Sequence, residues 1–396
     1  MKVNAIGLYI FLVIQLYCFA LNGIPSFVAK GLALITLFVA ILYSPRKESY
    51  YNKPLVWLGV CCMVNMIWCS LNRAQSPFEY VIGNEFTNML GLLGIFAIPA
   101  FKLRPQEVEK VLVAVGLTCM AIYLLQYFSQ MPLITDEETI EERGFRIRAR
   151  INGQCVFFFL YLKYLYFYIK KPSAFYGIYT LLSLLCIIII GFRTHVVALV
   201  FVTVLFWWKK NLVNKGTLFG MLVAGIVLYA ALQTDVVQDK VNQMIERNEE
   251  GTFENEDYSR YLSLEYFTHE APNGIADRIL GIGLPNGNSA YGRHLQELKN
   301  YGIIWADWGL IGLAWVLGIP AVLCIVWYAI RAFLTPVRQE HSYLCYWFLL
   351  MILSSILTRE IYRQGAFPIQ AVILYLIAQY RLGNVRLKWK EIWKRK

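Results

Sequence analysis

TDVVQDKVNQMIERNEEGTFENEDYSRYLSLEYFTHEAPNGIADRILGIGLPNGNSAYGRHLQELKN, residues 234–300, is the one long polar run in a chain otherwise built of apolar segments. It carries prolines, glycines and carboxylates together with Arg260, His269, Arg278, Arg293, His294 and Lys299. The other polar stretches are short enough to be turns between membrane helices. A membrane protein that keeps one large soluble loop does its chemistry there, or closes that loop over a site beneath it. The loop is therefore expected to cap a cluster of arginines at the same membrane face.

Taken whole, the chain is 58% hydrophobic, with 15% aromatic and only 16% charged residues. Apolar runs of about 20 residues recur along the whole length, enough to cross a ~30 Å hydrocarbon core. They are continuous rather than alternating, which argues against a β-barrel. The predicted fold is an all-α polytopic membrane protein with about twelve transmembrane helices, at 5–22, 25–43, 54–70, 86–101, 109–128, 151–169, 173–191, 194–208, 216–234, 303–330, 342–358 and 364–380. Residues 1–234 then hold helices one to nine, 235–302 the large loop with short amphipathic helices, and 303–396 the last three helices and a basic tail. The run 303–330 exceeds a straight span and is expected to tilt or break near Pro320. The first run follows Lys2 but lacks a small-x-small cleavage site, so it reads as a retained helix. The nine cysteines lie in apolar segments without His partners at metal-ligand spacing, and read as small core residues. No metal or cofactor is expected.

A net charge of +11 could point to nucleic acid. Its spread over short loops and the tail points instead to cytoplasmic anchoring. With the N-terminus inside, the inner loops hold Arg46, Lys47, Lys53, Lys102, Arg104, Lys110, Lys170, Lys171, Lys209, Lys210, Lys215, Arg331 and Arg338. Both termini are then cytoplasmic and the large loop lies outside. The outer face is rich in arginine rather than lysine: Arg143, Arg146, Arg148, Arg150, Arg193, Arg260, Arg278, Arg293, Arg359 and Arg363. A guanidinium is a planar fork that grips phosphate oxygens in pairs, whereas an ammonium is a solvated point charge. An arginine-rich outer face asks for an anionic ligand.

Four constellations carry that chemistry. In Glu141-Glu142-Arg143-Gly144-Phe145-Arg146-Ile147-Arg148-Ala149-Arg150-Ile151-Asn152-Gly153 the arginines alternate, so an extended strand would point them one way. They read as a pyrophosphate clamp or as a solvated run paired with the neighbouring carboxylates. Gly191-Phe192-Arg193-Thr194-His195 falls between two apolar runs with almost no loop, which leaves Arg193 near hydrocarbon depth in need of an anionic partner. His195 reads more readily as a hydrogen-bonded packing residue than as a base. Asp257-Tyr258-Ser259-Arg260-Tyr261 opens an amphipathic segment through Leu262, Leu264, Tyr266 and Phe267, lying on the membrane or over the site. Gly281-Ile282-Gly283, without a third glycine or a strand–helix unit, is a turn back to the membrane rather than a dinucleotide fingerprint.

In this order the motifs resemble the O-antigen polymerase and O-antigen ligase superfamily of bacterial surface-polysaccharide assembly. The pieces are Arg150-Ile151-Asn152-Gly153, Gly191-Phe192-Arg193-Thr194, Ser259-Arg260, Gly281-Ile282-Gly283 and Gly309-Leu310-Ile311-Gly312, with the large loop between spans nine and ten. The likeness is strongest over 145–315, and each motif alone is degenerate. Ligases of this group carry a His-Asn pair where this chain has Lys299-Asn300, with Asp307 in the acidic position that follows. His294 lies five residues early, which favours a polymerase unless a shifted register lets His294 serve.

The resemblance implies a metal-independent glycosyltransferase of the inner membrane, with its site facing the periplasm and undecaprenyl-diphosphate-linked oligosaccharide as donor. A diphosphate group would be bound by Arg146, Arg148, Arg150, Arg193 and Arg260, with Arg278 and Lys299 as further cationic residues. The base candidates are His294, Glu297 and Asp307, with His269 behind them. Expected partners are membrane lipids, a chain-length regulator and a flippase, and no nucleic acid. The alternatives are a ligase to lipid A-core and a lipid-linked oligosaccharide flippase, the latter expected to show mid-span charges and broken helices. Lys163 is the main mid-span charge visible.

Overall fold

The computed structural model describes residues 3–45, 50–129, 131, 133–134, 151–191, 193–210 and 259–381. Arg143, Arg146, Arg148, Arg150, the expected ninth span at 216–234, the loop up to Tyr258 and the tail from 382 lie outside the described residues.

The described chain is all-α. No strand forms among the described residues, only the bridge pairs Leu21 with Ile134 and Val337 with Arg381. Helix α1 runs Val3–Gln15, α2 Ser26–Leu42 and α3 Asn52–Asn72. Next come α4 (Pro77–Ile82), α5 (Asn84–Leu90) and α6 (Gly94–Ala97). Then follow α7 (Pro105–Ser129), α8 (Val156–Lys170), α9 (Ala174–Ile190) and α10 (Arg193–Lys210). The polar region gives α11 (Ser259–Glu265), α12 (Ile275–Leu280) and α13 (Ala290–Asn300). The chain closes with α14 (Gly309–Leu317), α15 (Ile319–Leu334), α16 (Ser342–Ser354) and α17 (Ala366–Tyr380).

The innermost helix is α17. From Ala366 to Ile377 nearly every side chain is buried, as expected of a helix apolar all round. Helices α7, α16 and the overwound 84–101 segment pack on it, and α8 packs on α9 and α16. Small residues bring the backbones close: a Cβ at Gly91 would lie 2.6 Å from Pro368, and one at Gly116 2.9 Å from Val156.

The outward faces are apolar instead of polar. On α10, Val197, Val200, Phe201 and Val204 are exposed at helical spacing, and Val200 keeps 59% of its surface. Phe27, Ile35, Phe38 and Leu42 do the same on α2, and Val56, Met63, Ile67 and Leu71 on α3. Meanwhile Gln15, Asn65, Glu109, Gln126, Gln154, His195, Glu360 and Gln370 are inside. Apolar stripes of this length facing outward are the kind of surface that meets another protein or a membrane.

By length and composition, α3 and α7 are the helices among the described residues able to cross a membrane. The other apolar helices are shorter, and at two places the reason is visible. After Gln15 the chain leaves the helix through Tyr17, Cys18, Phe19 and Ala20, all at φ between 52° and 61°. The run 303–330 does break, at Gly318 (φ 94°, ψ 152°), one residue before Ile319-Pro320 opens α15. The break strands the last carbonyls of α14, since a helix end leaves its final C=O groups without amide partners. The loop supplies partners: Ile282 N–H donates to Trp315 O and Gly283 N–H to Val316 O, each at 2.8 Å. Asn65 Nδ2 of α3 donates to Val316 O (3.0 Å) and Leu280 O (2.6 Å). Gly281-Ile282-Gly283 is thus an extended stretch docked on a broken helix, more than the simple turn expected.

Candidate functional site: a charged cluster around the 355–365 connection

The residues between α16 and α17 form a buried connection. Ile361 N–H donates to Ser355 Oγ (2.7 Å), and Gln370 Nε2 to Ile361 O (2.5 Å). Asn88 Nδ2 of α5 donates to the carbonyls of Tyr362 (2.9 Å) and Arg363 (3.1 Å), while its Oδ1 accepts from Gly365 N–H. Gly365, at φ 80°, lies directly on the 151–154 turn: its Cβ would fall 2.4 Å from Gly153 N. Gly153 N–H in turn donates to Gln364 O at 3.1 Å.

This scaffold holds Glu360 with no solvent exposure. Its carboxylate accepts from Gln154 Nε2 (3.2 and 3.3 Å), lies 3.3 Å from His195 Nε2, and is 3.0 Å from Arg363 Nε. His195 also meets the edge of Phe158, ring centroids 5.3 Å apart. Burial alone would raise the Glu360 carboxyl, but Arg363, His195 and the Gln154 hydrogen bond outweigh it and hold the carboxyl down at about 2. The group is an anion that fixes three cationic or donor side chains, Gln154, His195 and Arg363. Gln154 Oε1 is buried with no hydrogen-bond partner among the described residues.

A second layer surrounds Tyr362. Its hydroxyl donates to Gly309 O at 2.9 Å and its ring stacks on Trp305, 5.9 Å and 17° apart. Arg359, Glu85, Asp307 and Arg363 all lie within electrostatic reach of that phenol. Arg260 opens α11 close by, where Trp308 Nε1 donates to its carbonyl at 2.9 Å. Ser259 and Ser263 hydroxyls tie the same helix to Gly302 O and Ile304 N–H. The amphipathic face of this segment packs on protein: Phe267 stacks on Trp315 at 5.3 Å and 10°. Of the two placements expected, on the membrane or over the site, the Phe267 contact is with protein, while Tyr261 of the same segment stays exposed.

The site residues read from sequence fall in three groups. Arg146, Arg148 and Arg150 are outside the described residues, and of Arg193, which opens α10, only the backbone is described. Asp307 lies within electrostatic reach of Tyr362, and the backbone carbonyl of Arg260 meets Trp308, the residue after Asp307. Arg278 is exposed on α12, and His294, Glu297 and Lys299 are exposed on α13. His294 Nε2 is 3.3 Å from Tyr266 OH. A five-residue offset on a helix turns a side chain by about 140°, so His294 does not present itself where Lys299 does. His269 is exposed on the π-turn Tyr266–Glu270.

The sequence reading missed Glu360 and Gln154. For Glu360 a signal was present: Arg359-Glu360-Ile361-Tyr362-Arg363 separates two apolar runs with almost no loop, as Gly191-Phe192-Arg193 does. For Gln154, uncharged within an aromatic-rich segment, there was none. Among the described residues no group of three or more His, Cys, Asp or Glu is placed to hold a metal ion. Neither a protein-family model nor a curated protein matches this chain.

Proposed function

We propose that this chain is a multi-pass bacterial inner-membrane protein, of about twelve spans with both termini in the cytoplasm. On this reading it polymerises undecaprenyl-diphosphate-linked oligosaccharide units into a surface polysaccharide at the periplasmic face. The supporting observation is the meeting at one buried carboxylate of the stretches that bear Arg150 and Arg193. Gln154 follows Arg150 by four residues, His195 follows Arg193 by two, and both reach Glu360 beside Arg363. Asp307 stands next to the same connection, and the Arg260 carbonyl meets Trp308, one residue further on.

In the reaction, an acceptor sugar hydroxyl attacks the anomeric carbon of the donor. The bond from that carbon to the diphosphate oxygen breaks, and the electron pair leaves on the lipid diphosphate. Arginine forks stabilise the charge that develops there, the role electrostatics plays at a phosphate leaving group. The hydroxyl proton passes to a carboxylate or imidazole, for which Asp307 is best placed among the candidates because it borders the arginines. Glu360 keeps Arg363 and His195 in position.

Deletion and complementation in the native strain tests the reading. A surface-polysaccharide ladder that collapses to a single repeat on the core, and returns with the wild-type gene, supports a polymerase. Loss of all polysaccharide from the core, with long chains still on the carrier lipid, supports a ligase instead. A second reading, a lipid-linked oligosaccharide flippase, is favoured by the break at Gly318 and by the buried Lys163–Glu109 pair. Detergent-solubilised protein separates the two, since elongation needs no second compartment and translocation does.

A further inference from the structure

At the opposite end of the bundle from the 355–365 connection, where α17 finishes, two guanidiniums are gathered on one ring. Arg331 Cζ lies 3.9 Å and Arg381 Cζ 4.1 Å from the Tyr50 ring centroid. Neither arginine makes an ion pair with a carboxylate among the described residues. Three helix ends assemble them. Tyr50 leads into α3, Arg331 stands in the last turn of α15, and Arg381 caps α17, where its backbone bridges Val337.

We propose that this triad is a binding site for one phosphate group. Both guanidiniums sit within cation–π distance of the one ring. A guanidinium carries five N–H donors, more than a single phenol oxygen can accept, so donors are left for an anion. Two like charges held at one ring repel unless an anion joins them. The N-terminus of α3, a 21-residue helix, adds its positive end beside Tyr50, and exposed Lys53 adds a further charge. Arg331, beside the phenol oxygen, lowers the Tyr50 hydroxyl from its ordinary value. On the membrane reading this end lies at the cytoplasmic surface, where basic pockets between helices take anionic lipid headgroups. A phosphatidylglycerol phosphate and a free phosphate offer the same oxygens, so both are tested.

The test measures thermal unfolding of the full-length protein in detergent against phosphatidylglycerol, phosphatidylcholine and inorganic phosphate. A saturable rise in Tm with phosphatidylglycerol, absent with phosphatidylcholine, is expected. Arg331→Gln/Arg381→Gln should weaken its midpoint about tenfold or more, the cost of losing charge-assisted hydrogen bonds. Lys110→Gln/Lys171→Gln removes the same charge from exposed positions and should leave the midpoint in place. If inorganic phosphate produces the variant-sensitive rise instead, the site stands and its ligand is free phosphate. Should the glutamine pair unfold, Arg331→Lys/Arg381→Lys keeps both charges without the fork and must also weaken the midpoint. No saturable response to either phosphate, or an unchanged midpoint in the arginine variants, overturns the proposal.

Discussion

Glu360 carries a full charge away from water, and its neighbours are arranged around that charge. Replacing it by Gln keeps the shape and strands the Arg363 guanidinium, so Glu360→Gln should destabilise the protein by about 3–5 kcal/mol, read as a lower Tm in detergent. The pH dependence follows from its carboxyl, lowered from 4.5 to about 2. On acidification the unfolded chain takes up the proton first. The stability from this group is therefore complete above about 4.5 and lost as pH falls towards about 2. Tm should drop through that window in the wild type, and less in Glu360→Gln. A different residue carries strain. Ala20 holds φ 61° as the last of four left-handed residues, at a cost of about 1–2 kcal/mol per non-glycine residue. Ala20→Gly should raise stability by about 1 kcal/mol, and an unchanged or lower Tm would count against the left-handed turn.

Helices here are shaped by where glycine permits contact. A Cβ on Gly281 would sit 2.4 Å from Gly318 N, and one on Gly318 would sit 2.5 Å from Leu280 O, both at positive φ. Gly281→Ala and Gly318→Ala should each cost more than about 2 kcal/mol, from backbone strain plus displacement of the docked loop. Gly31, in α2 with nothing within 4 Å of its Cβ, is the contrast. Gly31→Ala should stabilise by about 0.5–1 kcal/mol. At this scale the sequence was readable where backbone chemistry writes itself in glycine and proline: the break before Pro320 and the sharp joint at Gly191 were both visible. It was not readable where partners come from far along the chain. Nothing local tells that Gly281–Gly283 answers orphan carbonyls of α14, or that Gly153 meets Gly365. His294 shows the same limit, because its distance from Lys299 in sequence becomes a different helix face in space.

Among the described residues, several polar groups are buried within the apolar core, and apolar stripes face outward. Lys163, visible in sequence as a lone mid-span charge, meets buried Glu109, whose Oε2 also accepts from Tyr380 OH at 3.1 Å. His341 stacks on that tyrosine at 3.5 Å. These partners come from α7, α8, α17 and the turn just before α16, so the lysine was legible and its network was not. The outward stripe of α10 gives a direct check on the membrane reading. Val200→Asp should hinder membrane integration by about 2.5–3.5 kcal/mol, seen as loss of protein from the membrane fraction. A water-facing valine would tolerate the change. The all-α class followed from composition and run length alone. The number of spans rests on hydropathy, as the described helices other than α3 and α7 fall short of a full crossing.

Catalysis at the arginine-lined connection is the central claim, and purified protein tests it most directly. Wild type, Arg193→Ala and Glu360→Gln would be incubated in detergent with undecaprenyl-diphosphate-linked repeat units, and the products separated by length. The account predicts a ladder of longer lipid-linked chains with wild type. It predicts a rate lower by about 10²–10³ with Arg193→Ala, the loss expected for one electrostatic contact to the leaving group. A ladder made equally well by folded Arg193→Ala protein would contradict the diphosphate clamp. No elongation by folded wild type would contradict the polymerase reading itself.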